Sequence, residues 1–143
     1  MPEQIHIGEI AIPLHWDSEE QCLSIRSAGF IEEADANLFF PDGLKTLPAS
    51  AILILEQFVS DYATLKSIAF SAIGKQALAG NYWGKLLSQN PQMDLIWARF
   101  SSLDQLESST VKLAYNDAEH DVYTLWIASF QGLELKSVER KAW

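Results

Sequence analysis

Four residues that could do acid–base or metal chemistry lie within five positions of the chain: Asp117, Glu119, His120 and Asp121. Carboxylates and imidazoles are metal ligands, and they also serve as general acids and bases. The spacing argues against both uses, because no second histidine is nearby and the aspartate pattern of an EF-hand loop is missing. The segment separates two alternating apolar stretches, which favours a hairpin loop with its acidic tip in solvent. We therefore predict no metal site and no catalytic residue here, and keep the four as candidate binding residues.

A second candidate is the aromatic pair Tyr82 and Trp83 in the stretch GNYWGKLL, residues 80–87. The stretch does not match a phosphate-binding loop, which needs four residues between its glycines and a Ser or Thr after the lysine. An aromatic pair between two glycines can offer a rigid contact surface to a partner. The alternative is that both rings fold back onto the core.

The other reactive side chains form no recognisable set. His6 and His15 are nine positions apart without a metal-binding motif, and no G-x-S-x-G elbow of a serine hydrolase occurs. Cys22 is the single cysteine, so no internal disulfide can form, and its place in an alternating apolar stretch favours a packed thiol. The sequence therefore favours a non-enzymatic protein without a cofactor. A carboxylate site assembled from distant residues stays open.

Composition indicates a single folded domain over residues 1–143, because 48 % of the residues are hydrophobic and 11 % are aromatic. The start of the chain lacks the features of a signal peptide. Its longest aliphatic run, AILIL at 51–55, is far too short to span a membrane. We expect a cytoplasmic protein that does not insert into a membrane.

The formal net charge of −9 is concentrated in one half of the chain. Residues 1–71 contain 11 acidic and 3 basic side chains, whereas residues 72–143 contain 8 and 7. Such a surface would repel nucleic acids and anionic membranes. It favours a basic protein partner, or it serves solubility alone.

Hydropathy patterns place strands at both ends of the chain and helices between them. The stretches 5–16 and 22–27 alternate and predict an N-terminal β-hairpin, in which the strand with Pro13 is an edge strand or has its amide side unpaired. Helical spacing predicts two consecutive helices, 48–59 and 62–79, divided by an N-cap at Ser60–Asp61. The predicted C-terminal strands are 94–100, 111–115, 122–130 and 133–143. This order predicts an α+β fold, in which an antiparallel sheet carries both helices on one face.

The β-hairpin, the helical stretch PASAILILEQFVSDYATLKSIAFSAIGKQALAGNYW and the later SSLDQLESSTVKLAYNDAEHDVYTLWI together resemble small bacterial α+β families of uncharacterised function. Some of these families are thought to contain immunity proteins of toxin systems. The resemblance is one of pattern, covers most of the chain and assigns no functional residue. It implies a non-enzymatic protein-binding module, such as an immunity protein that neutralises a basic toxin.

Two other functions remain open. One is a small-ligand-binding protein or enzyme, which requires a concave pocket between helices and sheet lined by convergent polar groups. The other is a structural or oligomerisation module, which requires a large apolar patch on one face of the sheet.

Overall fold

The computed structural model describes residues 4–7, 9–26, 36–79, 93–101, 103, 110–117 and 121–143. Within these residues the chain forms nine strands and one helix. The strands are β1 (Gln4–Ile7), β2 (Ile10–Pro13), β3 (His15–Asp17), β4 (Cys22–Ile25), β5 (Asn37–Phe39), β6 (Asp94–Phe100), β7 (Thr110–Asp117), β8 (Asp121–Gln131) and β9 (Glu134–Ala142), and the helix is α1 (Ala49–Ala79).

Seven strands form one sheet in the order β3-β4-β5-β6-β7-β8-β9, so each strand lies beside its neighbour in sequence. All pairs are antiparallel except β5–β6, which is parallel. A parallel pair needs a long crossover, and α1 lies in the connection between these two strands. Strands β1 and β2 form a separate two-stranded hairpin.

Helix α1 is continuous because its buried residues form one unbroken stripe. The buried positions follow one another at intervals of one, three or four residues along the whole helix. They are Ala51, Ile54, Leu55, Phe58, Tyr62, Leu65, Ala69, Ile73 and Ala77. The helix begins directly after Pro48, whose carbonyl accepts a hydrogen bond from the amide of Ala51 at 3.0 Å. Its 31 residues span about 46 Å, which is enough to cross the sheet.

The core lies between this stripe and one face of the sheet. Along β7 and β8 the residues that face the helix alternate, as the pleat requires. They include Val111, Leu113, Tyr115, Trp126, Ala128 and Phe130. The opposite face carries a smaller buried cluster of Ala114, Leu125 and Ile127, against which Ile96 and Trp97 pack. Neighbouring Ile96 and Trp97 reach the same cluster because the β6–β7 register shifts between Leu95 and Trp97.

The predicted α+β fold, with two consecutive helices on a wholly antiparallel sheet, is wrong. The described residues are mostly β, with 50 % in strands and 28 % in helix, and they contain a parallel strand pair and one helix. The predicted break at Ser60–Asp61 fails because Asp61 does not cap a helix. Its carboxylate accepts a hydrogen bond from the Gln57 side chain, one turn earlier on the same helix surface.

The N-terminal hairpin also differs from its prediction. Strands Gln4–Ile7 and Ile10–Pro13 pair with each other, and the strand that pairs with Cys22–Ile25 is the short His15–Asp17. Pro13 lies on β2, whose one neighbour in this sheet is β1, so its missing amide breaks no ladder.

Candidate functional site

The acidic segment predicted as a solvent-exposed loop has one end buried in the sheet. Asp117 is the last residue of β7, and 5 % of its surface is exposed. It pairs with Asp121, the first residue of β8. Glu119 and His120 lie outside the described residues, as do Tyr82 and Trp83 of the aromatic pair. A role for these residues in binding stays a prediction. For Asp117 the burial contradicts the expectation of a solvated acidic tip.

Asn116 joins the two strands beside this segment. The β7–β8 register shifts between Tyr115 and Asp117, so the ladder is interrupted there. The Asn116 side-chain amide donates to the carbonyls of Val122 at 3.1 Å and Thr124 at 3.0 Å, and so bonds β7 to β8 across the interruption. By residue type Asn116 suggests a turn former, whereas in the structure it is a buried connector between strands.

A cavity of about 670 Å³ opens between the first half of α1 and the β8–β9 turn. Its apolar lining comes from the helix, from the adjoining ends of β6 and β7, and from the turn. These residues are Ile54, Phe58, Leu65, Phe100, Val111 and Leu133. The volume lies within the range of small-molecule sites, about 300–1,000 Å³.

The turn that closes the cavity is built from two residues. Gln131 and Glu134 are paired, so Gly132 and Leu133 alone connect β8 to β9. Gly132 has φ +58°, a left-handed conformation that glycine adopts without a steric cost. The tight turn places Leu133 at the mouth of the cavity, where 52 % of its surface is exposed.

Four polar residues line the same cavity: Gln57, Asp61, Gln131 and Glu134. The Gln57 amide donates to Oδ2 of Asp61 at 2.7 Å. Glu134 forms an ion pair with Lys136 at 3.2 Å between Oε2 and Nζ. The cavity thus combines an apolar floor with two carboxylates and two amides, which suits recognition of a partly polar molecule.

Sequence reasoning misses this site because its residues come from distant parts of the chain. The one local signal is the spacing of Gln57 and Asp61, four positions apart beside the apolar stripe of α1. By residue type, however, Asp61 suggests a helix boundary. Nothing in the local sequence indicates that residues 131–134 meet this helix, since the contact depends on how β8 and β9 cross the sheet.

A second polar cluster surrounds Arg99 on β6. The Arg99 guanidinium lies 2.7 Å from a carboxylate oxygen of Glu20 and 3.4 Å from one of Asp42. It also lies over the Phe39 ring, 4.9 Å from the centroid. The stacked, paired geometry fixes the guanidinium against the sheet.

Cys22 is buried next to this cluster. Burial raises the pKa of the thiol above its ordinary value of 9.0, and the charge of Arg99 partly opposes this by lowering it. Asp17, Asp42 and Glu20 act in the same direction as burial. A buried thiol with a raised pKa is poorly suited to nucleophilic chemistry, because the thiolate is the reactive form.

Among the described residues, no group of three or more His, Cys, Asp or Glu side chains is placed to hold a metal ion. The described helix also lacks the combination of length and apolarity needed to cross a membrane. The arrangement that the described part of the chain does offer is a cavity with carboxylate and amide residues in its lining.

Comparison of the chain with models of protein families, with curated proteins and with solved structures finds no match.

Proposed function

We propose that this protein binds a small, largely apolar molecule in the cavity between α1 and the β8–β9 turn. The observation that carries the proposal is the cavity itself, with its volume of about 670 Å³ and the polar residues in its lining. Ile54, Phe58 and Leu65 supply an apolar floor from one helix face, and a ligand on that floor gains affinity by leaving water.

The rigidity of the walls supports the same proposal. The Phe58 ring packs edge-to-face on Phe100 with centroids 5.2 Å apart, and Phe40 stacks on Phe100 at 6.1 Å. Aromatic contacts of this kind fix ring positions. A pre-formed site loses less conformational entropy when it binds a ligand.

The test is an NMR titration with 4-phenylbutan-1-ol, a neutral amphiphile. Backbone amide shifts should change at Gln131–Glu134 and in the first half of α1. Replacing Leu133 with Trp should fill the mouth and abolish the shifts. The matched control is Leu53→Trp, because Leu53 is likewise exposed, at 62 %, but does not line the cavity. Shifts that persist unchanged in Leu133→Trp would place the binding elsewhere and refute the proposal.

A second candidate function, binding of a basic protein such as a toxin neutralised by an immunity protein, is favoured by an acidic corner of the molecule. The β3–β4 turn and the Pro41–Gly43 turn are joined by a hydrogen bond from the Gly43 amide to the Gln21 carbonyl at 2.9 Å. The end of β3 and the two turns carry four acidic residues: Asp17, Glu19, Glu20 and Asp42. Two of them, Glu20 and Asp42, form ion pairs with the Arg99 guanidinium.

This second candidate predicts association that is accelerated by charge and slowed by salt. Association with an oligolysine peptide should be slower for the double variant Glu19→Gln/Asp42→Asn. The control is Glu9→Gln/Glu56→Gln, which removes the same charge from exposed positions outside the two turns. Equal rates for both double variants would leave only a non-specific effect of net charge.

A further inference from the structure

We propose that the ligand of the cavity is an organic cation: a primary ammonium group on an apolar body, with the ammonium held by Asp61 and Gln57. This inference rests on the proposed function, since it names the class of molecule that the same cavity takes.

The described lining of the cavity is negatively charged. The described lining residues include two carboxylates, Asp61 and Glu134, and no lysine, arginine or histidine. Glu134 already has a cationic neighbour in Lys136. Asp61 has no ion-pair partner in the described part of the chain, where its contact is the neutral amide of Gln57. The negative charge on the cavity wall is therefore concentrated at Asp61.

The side chains of Asp61 and Gln57 offer hydrogen-bond acceptors that suit an ammonium group. Oδ2 of Asp61 accepts a hydrogen bond from the Gln57 side chain. The other carboxylate oxygen accepts no hydrogen bond from the described residues. The Gln57 side chain uses its amino group in this bond, which leaves its carbonyl oxygen as an acceptor. A primary ammonium has three donors and no acceptor, so it matches the remaining acceptor oxygens of Asp61 and Gln57 and the negative charge of Asp61. A ligand carboxylate would meet like charge and no described cation in the lining.

Asp61 lies between apolar lining residues on helix α1. Phe58 and Leu65 lie three positions before and four positions after it, so all three occupy adjacent places along the cavity wall. An ammonium at Asp61 therefore leaves the rest of the molecule over the apolar floor. The same arrangement would repel an apolar anion of equal size.

Three matched probes test the inference: 4-phenylbutylamine, 4-phenylbutan-1-ol and 5-phenylpentanoate. At pH 7 they carry a positive charge, no charge and a negative charge on the same apolar body. Dissociation constants come from the amide shifts of Gln131–Glu134, which report on the cavity. We expect the amine to bind about tenfold more tightly than the alcohol, as a charge-assisted hydrogen bond at a partly exposed site allows. The carboxylate should bind most weakly.

The variant Asp61→Asn keeps the side-chain shape and removes the charge. It should weaken amine binding about tenfold, to the level of the alcohol, and change alcohol binding by less than about twofold. Glu56→Gln is the control, because it removes one exposed negative charge from the same helix without touching the cavity. It should leave all three dissociation constants within about twofold.

The outcomes separate this inference from the proposed function. Equal binding of the three probes, with shifts abolished by Leu133→Trp, would overturn the cation preference and leave the binding cavity intact. Amine binding that is weakened equally by Asp61→Asn and Glu56→Gln would also overturn it, since the effect would then be one of net charge. Absence of binding by any probe at about 5 mM would overturn both the inference and the proposed function.

Discussion

The phenolic oxygens of Tyr62 and Tyr115 lie 3.1 Å apart inside the core, where they join helix α1 to strand β7. Both side chains are buried, and the Phe70 ring packs edge-to-face on Tyr115 with centroids 5.0 Å apart. Apolar packing alone would tolerate small shifts of a helix along a sheet. A buried hydrogen bond does not tolerate such shifts, because separating the two phenolic oxygens would leave each desolvated hydroxyl without the other as its partner.

Removing either hydroxyl should therefore destabilise the fold. We expect Tyr62→Phe and Tyr115→Phe each to lower the free energy of unfolding by about 1 kcal/mol. The double variant should lose less than the sum of the two, because the second substitution removes a hydroxyl that has already lost this contact. Urea denaturation of the four proteins measures the coupling.

The control for this cycle is Tyr123→Phe. Tyr123 is 77 % exposed, so the loss of its hydroxyl should change stability by less than about 0.5 kcal/mol. Strict additivity of the Tyr62 and Tyr115 substitutions would show that the short distance between the two oxygens contributes nothing to stability.

Asn116 gives a second prediction, because it holds the interrupted part of the β7–β8 ladder. Asn116→Ala removes both side-chain hydrogen bonds to the Val122 and Thr124 carbonyls. We expect a loss of about 1–3 kcal/mol of stability, since Asn116 itself is buried and water cannot easily take its place.

The effect should be local as well as global. The Trp143 amide donates to the Tyr123 carbonyl at 2.9 Å, directly beside the two carbonyls that Asn116 binds. Hydrogen exchange of that amide should accelerate in Asn116→Ala more than exchange in the centre of β7. Ser137→Ala, at an exposed position of β9, is the control and should leave this exchange unchanged. Unchanged protection of the Trp143 amide in Asn116→Ala would show that the bridge is dispensable.

The C-terminal half of the sheet could be predicted from the sequence, because sustained period-two alternation fits a strand and does not fit a helix. Strands β6 to β9 occupy the alternating stretches, and Trp126 and Leu125 face opposite sides as their parity requires. The sequence leaves residues 30–40, which include the short strand Asn37–Phe39, open between a strand and an irregular link, because three residues are too few to establish a period. If this strand is not predicted, its parallel pairing with β6 cannot be predicted either. The remaining alternating stretches then predict an antiparallel sheet.

Helix α1 shows how a correct local signal can be assigned the wrong role. Ser60–Asp61 is a good N-cap pair by residue type, yet the apolar stripe runs through it without a change of phase. Burial of that stripe outweighs a capping preference of about 1 kcal/mol. The same Asp61 then lies on the wall of the cavity. The residue that suggested a boundary is the one on which the proposed ligand preference depends.

Cys22 gives the last prediction, a loss of stability at alkaline pH. Burial is the main cause of its raised pKa, and Arg99 lowers the pKa by a smaller amount. Above the ordinary thiol pKa of 9.0 the unfolded chain loses the Cys22 proton while the folded chain retains it. The folded state then binds more protons, so the free energy of unfolding falls as pH rises through this range. Below about pH 8 the thiol is protonated in both states and contributes no slope.

The measurement is the difference in unfolding free energy between the wild type and Cys22→Ala from pH 7 to about pH 10.5, which covers the ordinary range of thiol titration. Taking the difference cancels the titration of the tyrosines and lysines that both proteins share. We expect a constant difference up to about pH 8, followed by a decline in the wild type relative to the variant. Arg99→Gln should make the decline larger, because it removes the charge that lowers the thiol pKa. A difference that stays flat over the whole range would mean that the Cys22 thiolate is as well solvated in the folded protein as in the unfolded chain.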